Sequence, residues 1–599
     1  MISRINLTIL FGVVFALSIY AQGLDLMTLK DWEIVVDKEA IPSEKFAAEE
    51  FQNLFEQATG IELKIVNTPS GKSKNIFIGN SPHSRNARAA IDIKNLGKEG
   101  LRIITTQNNI TIEGGRPRGT LYGVYEFAER YLGIRFLTND YTYVPSKKSK
   151  IVIPTEKYSY KPCFFYRNSY YAENLKYPEF SVRLRLNAFE KREKYGGTCN
   201  MDFVNHSFYY QVPVDSFKME HPEYFAEVNG KRLLEAHGGG PQLCVSNPDV
   251  IKILTKSVLK QIVNHPDVKN VSLSQNDNKY YCTCKNCEEI NQREGCPMGS
   301  HLAMINSVAD EVAKTYPDVI IGTLAYQYTR KPPKTIFPKD NVMIQLCSIE
   351  CDLLHAFNDK DNEMNKPFAD DLAEWGKVCE NLWIWDYMVN YNCYGLPVPN
   401  LRSIGKKIKY YKDNNIKGVF MEANYSSVSG EMSDLRNYIT ARCLWKPGLD
   451  SWELTKEFCN LYYKNSAKPI LEYLTKIHDN AEKNNLKARC IQAKPSDFGL
   501  DADFSSYIFE KFEEAMEMAD NEVIKSRVEK ASLCAYVAML ETAEGEVAVA
   551  AAAEDLKGKV DFYSSDKYKA IIEKFTELAK KYDMKYYDEG TLMENKTFK

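Results

Sequence analysis

The chain has little of what nucleic-acid-binding and membrane-spanning proteins need. Its 77 Lys and Arg residues are balanced by 80 Asp and Glu residues, which leaves a net charge of −3 at pH 7. No basic stripe is evident, so a polyanionic partner is not expected. Beyond the N-terminal apolar run, no stretch is long and apolar enough to cross a bilayer. We therefore expect no nucleic-acid partner and no membrane span.

Several catalytic motifs are also absent. The chain contains no G-x-G-x-x-G after a strand, no Walker loop, no H-E-x-x-H helix and no G-x-S-x-G elbow. The histidines are scattered and give no metal signature. These absences exclude dinucleotide, phosphate-loop, zincin and serine-hydrolase chemistry and leave carboxylate chemistry as the leading option. The sequence predicts no cofactor and no metal site.

The N-terminus has the pattern of a secretory signal peptide over residues 1–21. Arg4 gives a positive start, an apolar run follows from Leu7 to Tyr20, and Ala21 offers a small residue for cleavage. A membrane anchor is the alternative, but the run is short for a span. We expect an exported protein, periplasmic or extracellular, whose mature chain begins near Gln22 or Gly23.

The 599 residues exceed one compact domain, and three regions are predicted. Residues 24–157 alternate strands with two amphipathic helices, which is typical of a small α+β accessory domain. Residues 158–448 show repeated strand–helix units. Residues 449–599 are amphipathic and helical throughout, which predicts a helical C-terminal domain.

The middle region predicts a (β/α)8 barrel, an α/β fold of the TIM type. Helices follow the third, fourth, sixth, seventh and eighth of its apolar segments, whereas the unit after the second resembles a hairpin on an Asn229-Gly230 turn. The eight predicted strands are 164–171, 202–206, 241–247, 270–277, 319–326, 342–348, 382–387 and 417–425.

Aromatic and polar residues follow these strands, where barrel enzymes place their chemistry. Flat aromatic faces beside carboxylates suit sugar rings, which present C–H faces and hydroxyl edges. Surface tyrosines are common, so any one residue alone argues weakly for a site, and the set argues more strongly. The candidate substrate-binding residues are Tyr170, His206, Tyr326, Trp385, Asp386, Tyr387 and Tyr425.

Fifteen cysteines permit disulfides in an exported chain. Cys282, Cys284, Cys287 and Cys296 lie in the loop after the fourth strand, and zinc binding is one reading of them. Their C-x-C start differs from the paired C-x-x-C knuckles of a zinc ribbon. Disulfides or structural thiols are therefore favoured over zinc, and in either case the cluster would brace a loop.

Long motifs in the chain resemble known glycoside hydrolases. "RPRGTLYGVYEFAERYLGIRF" resembles the end of the accessory domain that precedes the barrel in α-glucuronidases and β-hexosaminidases. "HPEYFAEVNGKR", "LCVSNPDV", "VSLSQNDNKYYCTCKNC", "TLAYQYTRKPP" and "RNYITARCLWKPGLD" resemble glycoside hydrolase family 163. The resemblance spans roughly residues 30–450. It implies an endo-β-N-acetylglucosaminidase that cleaves the chitobiose core of complex N-glycans with retention.

Enzymes that cleave 2-acetamido sugars can use the substrate's own amide as nucleophile, and they then need one acid and a polar partner for the acetamido group. Asn276 and Asp277, adjacent after the fourth strand, are candidates for that partner, although adjacent strand residues point to opposite faces. Glu190 is the leading candidate for the acid. Its rival is Glu422, and Glu350 is a further alternative.

Other functions fit the same composition. A non-catalytic carbohydrate-binding protein on a degenerate barrel would keep the aromatic residues without depending on a carboxylate. A different glycosidase, one that is exo-acting, would keep both the aromatic residues and the carboxylate. A metal-dependent hydrolase would need the cysteine cluster or His206 to hold zinc. The leading hypothesis is a retaining glycosidase with a glycan or glycoprotein substrate.

Overall fold

The computed structural model describes residues 23–71, 74–80, 82–83, 94–235, 239–552 and 566–596. The predicted signal peptide, residues 1–21, lies outside this part of the chain. Two compact units are present: Met1–Ile134 with Val144–Lys161, and Arg135–Tyr143 with Pro162–Lys599. The division of the second unit into a barrel and a helical domain stays a prediction.

Strands occur in both units. They are β1 (Leu24–Asp25), β2 (Glu33–Val36), β3 (Lys64–Val66), β4 (Asn75–Ile78), β5 (Leu101–Thr105), β6 (Asn109–Gly114), β7 (Arg135–Thr138), β8 (Tyr141–Tyr143), β9 (Val152–Ile153), β10 (Lys157–Tyr160), β11 (Tyr166–Tyr170), β12 (Glu227–Val228), β13 (Lys231–Arg232), β14 (Asn270–Ser272), β15 (Ile320–Ala325), β16 (Val342–Cys347), β17 (Leu382–Tyr387) and β18 (Gly418–Glu422).

Helices connect and flank these strands. They are α1 (Pro42–Thr59), α2 (Gly119–Tyr131), α3 (Ala172–Lys176), α4 (Pro178–Arg183), α5 (Phe208–Gln211), α6 (Val214–Phe217), α7 (Pro248–Asn264), α8 (Lys285–Glu294), α9 (Met298–Ala313), α10 (Lys366–Val378), α11 (Leu401–Asp413), α12 (Ser433–Trp445), α13 (Ser451–Tyr462), α14 (Ala467–Lys483), α15 (Ala502–Glu517), α16 (Glu522–Ala552) and α17 (Asp566–Lys581).

The first unit is a layer of sheet and helix. Its sheet has the order β10-β5-β6-β4-β2-β3. Helices α1 and α2 pack against each other through Phe51 and Phe127, whose ring centroids lie 5.2 Å apart. Helix α1 ends at Gly60, whose φ of +78° is a left-handed conformation that glycine adopts without steric cost. This unit therefore buries the apolar faces of two helices.

The second unit contains a parallel sheet in the order β11-β18-β17-β16-β15-β14. Each strand is parallel to its neighbour, so the strand ends that follow β14 to β18 meet at one edge. Parallel strands are usually buried on both faces, and β15 to β18 are mainly apolar, whereas β11 and β14 are short and carry polar residues. The α/β prediction is confirmed.

A complete (β/α)8 barrel is not confirmed, because two predicted strands are irregular. In residues 202–206, the backbone N–H of Asp202 donates to Asn270 Oδ1 at 2.8 Å. The N–H of Val204 donates to Gln345 Oε1 at 2.7 Å. Side-chain acceptors thus replace the expected strand ladder. The sheet is a curled half-barrel whose remaining wall is non-strand chain.

The third predicted strand, 241–247, forms a single bridge between Leu243 and Phe225. Gln242 instead holds the chain after β14: its Nε2 donates to Asn276 O at 2.8 Å, and its Oε1 accepts from the Asn276 N–H at 3.1 Å. The hairpin predicted at Asn229-Gly230 is present as β12 and β13, with positive φ at both turn residues.

Aromatic side chains fill the inside of the half-barrel. Tyr166 of β11 stacks on Trp383 of β17 with ring centroids 4.6 Å apart. Phe203, from the irregular segment, stacks on Phe420 of β18 at 4.2 Å. Phe203 therefore packs into the interior although its segment forms no strand.

Among the described residues, no helix is both long and apolar enough to cross a membrane.

Gly418, the first residue of β18, tests this packing. A Cβ atom there would lie 2.3 Å from Trp383 Cδ2, so the Gly418→Ala variant must displace the Trp383–Tyr166 stack. We expect a loss of about 1–3 kcal/mol, the usual cost of overpacking, seen as a lower midpoint of thermal unfolding.

The matched control is Gly376→Ala in α10. A Cβ there would meet its nearest atom, Asn414 O, at an ordinary 3.5 Å. Because alanine favours helix over glycine by about 1 kcal/mol, the control should unfold at or above the wild-type midpoint. A Gly418→Ala protein as stable as wild type would contradict the packing described for Trp383.

Candidate active site

A buried carboxyl group, that of Glu422, stands at the end of β18. The residue is 8% exposed. The indole Nε1–H of Trp385, on the neighbouring strand β17, donates to Glu422 Oε2 at 2.7 Å. The register pairs Tyr387 with Glu422 across β17 and β18, and Tyr170 with Glu422 across β11 and β18. Three adjacent strand ends therefore surround this carboxyl with aromatic residues.

Burial raises the pKa of Glu422 from 4.5 to about 8. The hydrogen bond from Trp385 opposes this rise, since it stabilises the ionised form. The nearby carboxylates of Glu589 and Asp277 add to the rise. The Tyr391 hydroxyl lies beside the same carboxyl and lowers its pKa, although its geometry falls short of a hydrogen bond. Glu422 is therefore mainly protonated at neutral pH.

Asp277 presents a second carboxylate beyond β14, with its side chain 56% exposed. The Tyr326 hydroxyl donates to Asp277 Oδ1 at 3.0 Å. His206 Nδ1 lies 2.6 Å from Gln275 O, which fixes it as the protonated nitrogen. His206 Nε2 then lies 3.9 Å from Asp277 Oδ1. Asp277, Tyr326 and His206 thus form one polar group on the open side of the site.

Asn276 does not join this group, which corrects the candidate pair Asn276–Asp277. Its side chain is fully buried. Its Oδ1 accepts from the Tyr209 N–H at 2.9 Å, and its Nδ2 donates to Pro241 O at 2.8 Å. The oxygen and the nitrogen of its side-chain amide both form hydrogen bonds within the protein, so Asn276 holds the loop while Asp277 faces outward.

Asp386, a candidate substrate-binding residue from sequence, lies apart from the aromatic residues around Glu422. Its Oδ1 accepts from Ser348 Oγ and its Oδ2 from the Tyr411 hydroxyl, both at 2.6 Å. Side chains alternate along a strand, so Trp385 and Tyr387 point to one face of β17 and Asp386 points to the other, towards α11. Asp386 therefore ties β17 to α11 and points away from the face that carries Trp385 and Tyr387.

Glu190, the predicted acid, is occupied by a neighbour. Its Oε1 accepts from the backbone N–H and the Nε–H of Arg192, each at 2.9 Å. Burial disfavours the charged form, but these hydrogen bonds and the Arg192 charge outweigh it and lower the pKa of Glu190. A carboxyl group held ionised is a poor proton donor. The structure therefore favours Glu422 over Glu190 as the acid.

Glu350, the remaining alternative, forms an ion pair with Arg330, with Oε2 2.5 Å from Nη1. Arg330 also binds Asp371 at 2.7 Å. Glu350 thus belongs to a charged group separate from the Glu422 carboxyl.

Aromatic rings form the walls around Glu422, as the sequence predicts for a sugar site. Tyr170 and Tyr425 lie 5.2 Å apart between ring centroids, and both have a pKa raised by burial and by the Glu422 charge. Trp385 packs on Phe203 at 5.5 Å and lies 6.3 Å from Tyr387. These rings lie around the buried Glu422 carboxyl.

Two groups near Glu422 escape the sequence prediction. Tyr391, in the loop after β17, packs against Tyr387 with centroids 5.8 Å apart. Glu589 follows the last helix, and its N–H donates to Tyr391 O at 3.2 Å. Burial and the charge of Asp277 raise the pKa of Glu589. No strand pattern marks Glu589, since the tail reaches the site only in the folded chain.

The expected disulfides are absent from the described residues, which include every cysteine of the chain. All fifteen cysteines are free thiols, and fourteen of them are buried. Cys296, which the sequence groups with Cys282, Cys284 and Cys287, lies apart from them and donates to Lys331 O at 3.3 Å.

Solved structures with a similar fold are glycoside hydrolases. A family GH115 4-O-methyl-α-glucuronidase with specificity for decorated arabinogalactans is 12% identical. The match covers 92% of this chain and 76% of that chain, with a TM-score of 0.56. At this identity the likeness shows the fold alone.

Two further structures have TM-scores below 0.5. A GH138 enzyme targeting pectin rhamnogalacturonan II is 11% identical, with coverages of 92% of this chain and 73% of that one and a TM-score of 0.46. An N-acetyl-β-hexosaminidase of Streptomyces plicatus is 10% identical, with coverages of 74% and 91% and a TM-score of 0.38. No curated protein matches the chain.

Two family models match the sequence. Residues 27–127 match the N-terminal domain of glycosyl hydrolase family 67. Residues 136–476, more than half of the chain, match a domain of unknown function. Because this match covers more than half of the chain, the chain belongs to the DUF4838 family.

Proposed function

We propose that the protein is a retaining glycoside hydrolase in which Glu422 is the general acid. One observation carries this proposal: a buried carboxyl with its pKa raised to about 8 is surrounded by aromatic residues at the strand ends, and the charge of the exposed Asp277 carboxylate adds to that rise. A glycosidase acid must hold a proton at neutral pH and release it to the leaving oxygen. Glu422 meets the first of these requirements.

Asp277 supplies the complementary charge. Tyr326 holds its carboxylate through Oδ1, and more than half of its side chain remains open to a ligand. In a reaction assisted by a 2-acetamido group, this carboxylate would hold and polarise the acetamido N–H, or act in the proton relay. His206 Nε2 lies 3.9 Å from Asp277 Oδ1, so the imidazole forms part of the polar surroundings of this carboxylate.

The finer proposal concerns the substrate. We propose endo-β-N-acetylglucosaminidase action on the chitobiose core of complex N-glycans. Support comes from the long motifs that resemble glycoside hydrolase family 163 and from an aromatic cleft suited to sugar faces. Export to the periplasm or the cell exterior, where glycoproteins are met, is part of the same proposal and rests on the signal-like N-terminus.

The acid assignment predicts that Glu422→Gln and Glu190→Gln behave differently. With a biantennary N-glycoprotein, wild-type protein should release glycans that end in one GlcNAc, detected by mass spectrometry. Glu422→Gln should lower the rate about 10²–10⁴-fold, because a positioned acid is worth that much. Glu190→Gln should keep most of the activity, because the change affects only the contact between this side chain and Arg192.

The reverse pattern, with Glu190→Gln inactive and Glu422→Gln active, would overturn the assignment. Release of other sugars but no N-glycan by wild type would refute the substrate and leave the glycosidase proposal standing. Glycan binding with no hydrolysis of any glycoside would favour a carbohydrate-binding protein instead.

Trp385→Phe should shift the pH dependence of the reaction. The phenyl ring keeps an aromatic wall but removes the N–H that stabilises the Glu422 carboxylate, so the pKa of Glu422 should rise further. The alkaline limb of kcat/KM should move to higher pH by about one unit, or about 1.4 kcal/mol.

The control is Trp452→Phe, since Trp452 lies in α13 against Arg402 and does not contact Glu422. Its alkaline limb should coincide with that of wild type. If the alkaline limb of Trp385→Phe lay at the same pH as in wild type or at a lower pH, the indole would not stabilise the Glu422 carboxylate.

A thiazoline analogue tests which group is the nucleophile. If the substrate amide attacks, a thiazoline that mimics the oxazolinium intermediate should bind far more tightly than the product sugar, because transition-state-like ligands bind best. Asp277→Asn should weaken that inhibition. Absence of thiazoline inhibition together with a trapped glycosyl-enzyme would identify a protein carboxylate as the nucleophile.

A further inference from the structure

Four cysteines converge below the loop that carries Asp277. Cys244, Cys282, Cys284 and Cys287 have Sγ atoms that all lie within 4.8 Å of one another. The Sγ atoms of Cys244 and Cys284 are 3.6 Å apart. Cys244 precedes Cys284 by 40 residues, which is why the sequence does not group it with the others.

We propose that these four cysteines bind one zinc ion as a structural site. A tetrahedral centre with zinc–sulfur bonds of about 2.3 Å places its sulfurs about 3.8 Å apart. The observed separations fit that size. Binding would replace the thiol protons, which are released to solvent as the sulfurs coordinate the metal. This inference is independent of the proposed glycosidase activity.

Groups around the cluster compensate thiolate charge. The Glu227 N–H donates to Cys282 Sγ at 3.3 Å, and Arg232 Nη1 lies 3.9 Å from the same sulfur. The Cys287 thiol donates to the Ser246 hydroxyl at 3.1 Å, and this hydroxyl could donate in return to a thiolate. Donors of this kind orient metal ligands and offset the charge of a four-thiolate site.

The surroundings also suit a closed structural site. Ala226 packs within the cluster, and Val228 and Val245 cover it. Cys284 precedes the first turn of α8, a ten-residue helix whose N-terminus favours negative charge. Four protein ligands leave no position for a substrate, so the metal would hold structure and not act on a glycan.

The ligands come from segments that are held to the hairpin β12–β13. Thr283 N–H donates to Glu227 O at 2.7 Å, and Cys244 N–H donates to Tyr224 O at 2.8 Å. Gln242, two residues before Cys244, binds the chain on both sides of Asp277 through Asn276 O and Asn278 O, at 2.8 and 2.9 Å. The metal would therefore fix the base of the Asp277 loop.

Other occupants fit less well. A [4Fe–4S] cluster binds each of its four cysteines to a different iron, and a [2Fe–2S] cluster divides them between two irons, so both spread the sulfurs farther apart than they lie here. Two disulfides would require S–S contacts of about 2.0 Å, and all four thiols are free. A mononuclear iron centre shares the ligand set, and metal analysis separates it from zinc.

Metal content of the purified full-length protein tests the proposal. Elemental mass spectrometry should find about one zinc per chain in wild type. Cys284→Ser should lower this to near zero. Cys296→Ser, a change of the same kind outside the cluster, should keep about one zinc. Cobalt-exchanged wild type and Cys296→Ser should show the visible bands of a tetrahedral thiolate centre.

A second measurement needs no variant. Hydrogen exchange should show faster exchange at the amides of Ala226, Cys244 and Thr283 when the metal is stripped from wild type, because the metal links their segments. Wild type purified with no zinc, iron in its place, a disulfide among the four cysteines in peptide maps, or zinc lost from Cys296→Ser and kept by Cys284→Ser would each overturn the proposal.

Discussion

The burial of the Glu422 carboxyl, which accepts one hydrogen bond from Trp385, is the constraint on which the rest of the site depends. A carboxyl group taken out of water prefers its neutral form, and a single indole N–H is too weak to reverse that preference. Strand register puts this pair in place, since β17 and β18 are parallel and their inward residues lie side by side. The alternation that turns Trp385 and Tyr387 inward also turns Asp386 outward to Tyr411.

Much of this architecture follows from sequence pattern alone. The segments that form β15 to β18 are mainly apolar and are bounded by polar residues, and amphipathic helices with a 3.6-residue period follow β16 and β17. The hairpin at Asn229-Gly230 is specified by residues that tolerate positive φ. Glu422, Asp277 and Tyr326 are candidates from sequence because residues that follow parallel strands gather at one edge.

The remaining features depend on tertiary contacts that no local pattern encodes. Residues 202–206 have a strand-like composition, yet Asn270 and Gln345 capture their N–H groups. Glu190 lies in a run of charged residues, and only the structure shows that its carboxylate is bound by Arg192 of the same run. Cys244 and Glu589 each lie far along the chain from the groups they join. Their roles are visible only where distant segments meet.

Loops at the rim are fixed by three features: the tail, the loop after β17 and the cysteine cluster. Glu589 binds the backbone of Tyr391, and Gln242 brackets Asp277. Rigid support of this kind keeps catalytic groups in their geometry while the substrate is bound. Glu422, the proposed acid, is thus held by a strand, and Asp277 by a loop that is braced from outside the sheet.

Titration of the Glu422 carboxyl is the most direct test of this account. Infrared difference spectra of wild type and Glu422→Gln, recorded from pH 4 to pH 10, isolate the carbonyl band of this one protonated side chain. The account predicts that the band persists at neutral pH and is lost with a midpoint of about 8. A midpoint near the ordinary value of 4.5 would contradict it, because Glu422 would then be ionised where the acid must hold a proton.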